Sequence, residues 1–213
     1  MDIDFFSDCV CPWCFIGSVR LDRVLATETE PVVVHHRPFF LDPSTPEEGV
    51  DIRDMLRRKY GVDPRQVWDR AQAAAKESGL ELDLSRQTRQ YPTLRAHTLL
   101  RLAGERGTQR ELSRALFNAN FVDALNINDP AVLAALGERH GFSADEVIGL
   151  LRDEAELTQT RTDAETASAA GIRGVPFFVF DGRFAVSGAQ REPLLLDALK
   201  RARQTQQPPP IPP

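Results

Sequence analysis

Cysteine is absent from residue 15 to the end of this 213-residue chain, and all three thiols, Cys9, Cys11 and Cys14, lie close together near the start. A secreted fold stapled by disulfides scatters its cysteines, so that class is excluded, and one local cluster points to redox or metal chemistry. No apolar run approaches the ~18 residues of a membrane span, so no membrane partner is expected. Met1-Asp2 leads straight into an apolar segment with no basic region and separate hydrophobic stretch ahead of it. That gives no secretory signal, and the expected location is the cytoplasm. Positive charge is in the minority, 26 Lys and Arg against 31 Asp and Glu, a formal net charge of −5, and nucleic acid is not an expected partner.

What is present starts with Cys11-Pro12-Trp13-Cys14, between a short apolar strand (Ile3-Asp4-Phe5-Phe6) and a run with Ile16, Val19 and Leu25 at helical spacing. The unpaired N–H groups at a helix start favour negative charge, and such a position can lower a cysteine pKa from roughly 8.5 to about 3.5–7.5. Two intervening residues bring both sulfurs onto one turn, within disulfide reach. A zinc site needs about four ligands, and only Cys9 offers a third thiolate. The histidines His35, His36, His97 and His140 form no ligand-spaced set, so no metal ligand is assigned.

A second strand, rich in β-branched residues, covers 31–40 and ends in a loop with Pro43, Pro46 and Gly49. The chain thus opens β-α-β, which favours a parallel pair. From 51 to 170 the pattern is helical. Asp63-Pro64 and Asp129-Pro130 each set a cap residue before a first-turn proline, and Ser143-Ala144-Asp145-Glu146 reads as a capping box. Strand signal returns at 175–180 and 183–186 around Asp181-Gly182, a two-residue hairpin turn, followed by a helix near 191–203. The order is that of a thioredoxin fold (β-α-β … β-β-α), an α/β class, interrupted by an all-helical insertion domain. Residues 1–50 and 171–203 form the discontinuous thioredoxin-like unit, 51–170 the insert, and 204–213 a flexible proline-rich tail. In such a sheet the Val175-Pro176 loop faces the dithiol. A cis bond is expected there, since X–Pro is the linkage in which cis costs only ~0.5–1 kcal/mol. The Val175 backbone would then be free to pair with an extended substrate.

Ser7-Asp8-Cys9-Val10-Cys11-Pro12-Trp13-Cys14-Phe15-Ile16-Gly17 resembles the DsbA-type thioredoxin-like oxidoreductases, particularly their FrnE-like branch. Arg37-Pro38-Phe39-Phe40-Leu41, Gly174-Val175-Pro176-Phe177-Phe178-Val179-Phe180 and Ser187-Gly188-Ala189-Gln190 are similar to that branch too. The resemblance implies a thiol–disulfide oxidoreductase with catalytic roles for Cys11, Cys14 and Pro176, no prosthetic group, and the Cys11–Cys14 disulfide as its redox element. Pro12, Trp13 and Val175 are the expected substrate-binding residues. Cys11 is expected to be the exposed attacking thiolate and Cys14 the shielded resolving thiol, acting on protein or peptide disulfides and recharged by a thiol-redox partner. Pro12-Trp13 replaces the Pro-His of periplasmic relatives and implies a less oxidising pair, of reductase or isomerase leaning. At Tyr91-Pro92-Thr93, Pro92 stands where the family often has asparagine, so no binding role is carried onto it.

Two other readings stand beside this one. Kappa-class transferases and hydroxychromene-carboxylate isomerases are similar in their insert, which would make glutathione a co-substrate; relatives of that type carry serine where Cys11 stands. A redox-sensitive chaperone or metal-binding protein is the other, and Cys9 keeps it open. Cys9 itself reads best as a bystander at a strand end, Asp8 as a helix cap, His97 as a partly buried surface residue, His35 and His36 as structural, and Phe15, Phe40 and Phe177 as core aromatics.

Overall fold

The structure is a computed structural model that describes residues 1–204. The proline-rich tail, beyond Gln204, lies outside the described residues. The chain runs β1 (Asp2–Ser7), α1 (Pro12–Leu25), β2 (Val33–Pro38), β3 (Val50–Asp51), α2 (Ile52–Tyr60), α3 (Pro64–Glu77), β4 (Arg89–Gln90), α4 (Leu94–Glu105), α5 (Gln109–Phe121), α6 (Pro130–Glu138), α7 (Ala144–Leu150), α8 (Glu154–Ala169), β5 (Phe177–Phe180), β6 (Phe184–Ser187) and α9 (Glu192–Gln204).

Four strands form one sheet in the order β2-β1-β5-β6. β1 and β2 are parallel, with Phe5 opposite His36, and β5 is antiparallel to β1, with Phe178 opposite Phe5. The alternation of β1 sends Ile3 and Phe5 into the core, where Phe5 stacks on Phe178 at 4.7 Å between ring centroids. Such a pair adds about 0.5–1.5 kcal/mol beyond the area it buries. The β5–β6 turn takes Asp181 and Gly182 at φ 54° and 66°, and Arg183 N–H donates to the Phe180 carbonyl at 3.0 Å. This is the mirror-image turn that Asp-Gly favours because both central residues need positive φ.

The insert is helical apart from the two-residue ladder β3–β4, which straddles its start. Local chemistry sets its helix starts: Asp51, Asp63, Asp129 and Asp153 each accept a first-turn N–H, and Ser143 with Glu146 closes a capping box. Each such cap contributes about 0.5–2 kcal/mol.

Two devices fasten the insert to the sheet unit. Phe15, directly after Cys14, stacks on Phe117 of α5 at 5.2 Å and lies 6.1 Å from the Phe121 ring. At the free edge of the sheet, the Gln109 side-chain amide pairs with the His36 backbone, accepting from its N–H at 2.9 Å and donating to its carbonyl at 3.2 Å. The amide stands in for a neighbouring strand and satisfies an edge that would otherwise template pairing. Among the described residues, no helix is long and apolar enough to cross a membrane.

Candidate active site

Cys11 ends the loop after β1 and is the N-cap of α1. Its side chain makes no capping hydrogen bond, and Pro12 fills the first helical position, where a missing N–H costs nothing. Backbone bonds draw the loop tight: Cys11 N–H donates to the Asp8 carbonyl at 3.0 Å, and the Cys11 carbonyl accepts from Cys14 at 3.0 Å and Phe15 at 3.3 Å. Cys11 and Cys14 are free thiols on this first turn, and both belong to the core that the sheet shares with α2, α3 and α5. Burial, then the neighbouring Cys11 sulfur through a hydrogen bond and its charge, push the Cys14 thiol well above its ordinary value. Cys14 therefore holds its proton in the reduced pair.

Cys11 is not exposed, contrary to expectation. Only 4% of it meets solvent, because α2, α3 and the end of α5 fold over the motif. The space left is a cavity of about 180 Å³ beside the sulfur, with Pro12, Trp13 and Val175 on one side and Leu56, Trp68 and Phe121 among the residues opposite. The Val175–Pro176 peptide is cis. The Val175 carbonyl does not stand free: it faces the Cys11 thiol, the sulfur donating at 3.8 Å. Pro176 sits under α1, and a Cβ on Gly17 would come within 3.2 Å of both its ring and the Phe178 ring.

Ser187-Gly188-Ala189-Gln190 supports this arrangement from behind. Gly188, at φ 82°, donates to the Pro176 carbonyl at 2.8 Å, and the Ala189 carbonyl accepts from buried Arg20 at 2.6 Å. Arg20 also donates to Ser78 Oγ at 2.8 Å, so one guanidinium ties α1 to the end of α3 above the cavity.

Three residues next to the motif do more than their sequence positions suggest. Asp8 caps no helix. Its carboxylate accepts from Leu41 N–H at 2.8 Å and Val10 N–H at 3.4 Å, and lies 3.5 Å from His97 Nε2. The same nitrogen is 3.9 Å from Cys9 Sγ. His97 is buried rather than on a surface, with Phe40 edge-on at 5.6 Å. Burial opposes its charge, yet its neighbours Cys9 and Asp8 outweigh burial and push its pKa up to about 10. Cys9 is thus part of a charge-bearing cluster and not a bystander.

One sequence signal did exist, since His97 precedes Leu100 by three and so shares the buried stripe of Ala96, Leu100 and Ala103. Of the aromatics, Phe15 and Phe40 pack as described, and Phe177 lies edge-on to Phe6 at 6.4 Å; none lines the cavity. His35 is half-buried and 3.1 Å from Asp2, whereas His36 is buried with neither ring nitrogen hydrogen-bonded. Among the described residues, no three His, Cys, Asp or Glu side chains converge to hold a metal.

A sheet of this order with a dithiol at the start of α1 and a helical insert before the closing hairpin defines a thioredoxin-fold protein. The insert and the motifs narrow the class, and comparison with known proteins agrees. The chain belongs to the DSBA-like thioredoxin domain family, whose model matches residues 2–200. Its structure is similar to a probable DsbA oxidoreductase from Streptomyces coelicolor, at 34% identity and TM-score 0.88, covering 100% of this chain and 94% of that one. It is also similar in fold to a 2-hydroxychromene-2-carboxylate isomerase, at 17% identity and TM-score 0.76 over 97% and 98% of the two chains. A third likeness is to the cytosolic disulfide reductase DsbM from Pseudomonas aeruginosa, solved with GSH, at 17% identity and TM-score 0.65 over 97% of each chain.

Proposed function

We propose that this protein is a thiol–disulfide oxidoreductase working through Cys11 and Cys14. The observation that carries the reading is the pair of free thiols on the first turn of α1, one beside a cavity and the other buried with its proton held. The Cys11 thiolate attacks a substrate disulfide RS–SR′. A bond forms from Cys11 to the R-bearing sulfur, and R′S⁻ leaves. Cys14 then gives up its proton and attacks the Cys11 sulfur, which closes the Cys11–Cys14 disulfide and releases RS⁻. Two electrons pass from the dithiol to the substrate, and an external dithiol or glutathione returns the pair to its reduced form by the reverse exchange.

Pro12, Trp13, Val175 and Pro176 frame the reacting sulfurs in this reading. The neutral Trp13 at the motif's third position supports a reductase or isomerase direction rather than net oxidation, and we place the protein in the cytoplasm. Glutathione as co-substrate is part of the proposal, in keeping with the GSH held by the DsbM structure.

A second reading, a glutathione-dependent isomerase or transferase, gains from the cavity beside Cys11. It loses from Cys14, since such chemistry has no use for a resolving thiol. Cys14→Ser separates the two: exchange predicts a trapped mixed disulfide on Cys11 and lost turnover, isomerase chemistry predicts turnover that continues.

A further inference from the structure

The space around Cys11 has a size and a charge that the exchange chemistry does not require. The inner chamber, about 180 Å³, is walled mostly by apolar side chains, among them Ile52, Leu56, Trp68 and Phe121, with Gln87 and Gln90 as its uncharged polar groups. An apolar cavity of roughly 150 Å³ accepts a benzene ring, so this one takes a single aromatic ring or an alkyl group of that bulk. A second, outer recess of about 360 Å³ shares Trp13, Tyr60 and Val67 with it. Lys59 borders the inner space and Arg70 the outer, and no Asp or Glu lines either. Neither cation enters a salt bridge among the described residues. Lys59 also stands over the Tyr60 ring at 5.9 Å; in a chain of net charge −5, two cations with no carboxylate partner at this chamber favour an anion. Protein disulfides meet the opposite conditions: Cys11 is 4% exposed under α2 and α3, and a chamber of about 180 Å³ has no room for a disulfide anchored in a folded backbone.

We propose that the site acts on low-molecular-weight disulfides with an apolar, ring-sized arm and a carboxylate, the arm in the inner chamber and the carboxylate toward Lys59 and Arg70. This rests on the exchange reaction proposed above and narrows its substrate. The balance is unchanged: the dithiol loses two electrons, two small thiolates leave, and dithiothreitol in the assay restores Cys11 and Cys14.

The test compares kcat/KM for reduction of 4,4′-dithiodibenzoate, its uncharged isostere bis(4-aminophenyl) disulfide, and insulin. Wild-type protein should prefer the dicarboxylate over the isostere and reduce insulin slowest. In the double variant K59M/R70Q, both positions exposed, the dicarboxylate-to-isostere ratio should fall about tenfold, the loss of roughly 1.4 kcal/mol of charge recognition. Insulin reduced as efficiently as the aromatic disulfides, or a ratio unmoved by the double variant, overturns the assignment. Failure of the exchange reading looks different: the wild-type pair would then form no Cys11–Cys14 disulfide in a glutathione buffer and would reduce none of the three.

Discussion

Cys9 and Cys11 are separated by one residue, yet they face different cores. Cys9 belongs to the core of the helical segment, with Ala96, Leu99 and Leu100, and meets His97, which in turn faces Asp8. Cys11 and Cys14 belong to the core that the sheet shares with α2, α3 and α5, and Cys11 borders the cavity. All three sulfurs are buried, so burial does not separate them; their neighbours do. Cys9 is held by the charged His97 imidazole and does not line the cavity, whereas Cys11 has a void, a carbonyl and a protonated thiol around it. Geometry thus splits a three-cysteine stretch into one thiol held against His97 and two that share the first turn of α1 beside a cavity.

The sharpest way to break that division is to remove the sulfurs one at a time. Cys11→Ser should lower disulfide reduction to the uncatalysed background, and Cys14→Ser should accumulate a mixed disulfide visible by mass spectrometry. Cys9→Ser should keep most of the wild-type rate; equal losses from Cys9→Ser and Cys11→Ser would erase the distinction.

Next in size is the charge cluster. His97→Leu leaves the Asp8 carboxylate buried without its cation, and breaking a buried pair on one side costs about 3–5 kcal/mol, measurable by urea denaturation. The surface pair His35–Asp2 is the control, and His35→Leu should cost no more than about 1 kcal/mol.

On the dithiol side, Gly17→Ala puts a Cβ 3.2 Å from Pro176 and Phe178, and overpacking there should cost about 1–3 kcal/mol. The same variant should slow exchange, because the crowded atoms lie directly under the motif. A stable, fully active Gly17→Ala would show that this contact gives way freely.

A last set of effects is graded with pH, and the two buried histidines act in opposite directions. His97 binds its proton more tightly folded than unfolded, its pKa rising from 6.5 to about 10. Its contribution is fully present below pH 6.5 and is lost as pH rises through about 10. His36 is the reverse: burial, followed by the charges of Arg110, His97 and His35, lowers its pKa to about 3. Its contribution is present above pH 6.5 and is lost as pH falls through about 3. Urea midpoints over a pH series should therefore drop on both sides, and His36→Leu should flatten the acid side alone. An acid limb identical in His36→Leu would contradict the assignment.

Much of the frame was legible because its signals are local. The alternation of β1, the Asp-Gly turn before β6 and the Asp-Pro helix starts each act within a few residues, and the family's motifs mark the points where α1, β5 and the Gly188 loop meet. The two-residue strands β3 and β4 carry no such pattern. The burial of Cys11 was also hidden, since it depends on α2 and α3 folding back over a motif some 40–60 residues earlier (α2 buries only Ile52 and Leu56, too few for a clear stripe). The Asp8–His97 contact spans the sequence from β1 to α4, and nothing near Asp8 distinguishes a seam residue from a helix cap. Local chemistry located the dithiol; the long-range fold determined what surrounds it.

The most direct measurement equilibrates the reduced protein with a series of glutathione buffers, quenches it by alkylation and maps each thiol by mass spectrometry. The account predicts one disulfide, Cys11–Cys14, with Cys9 alkylated throughout, and a midpoint more reducing than the roughly −120 mV of a strong oxidant. A disulfide that includes Cys9, or Cys11 and Cys14 still reduced at the most oxidising ratio, would contradict it.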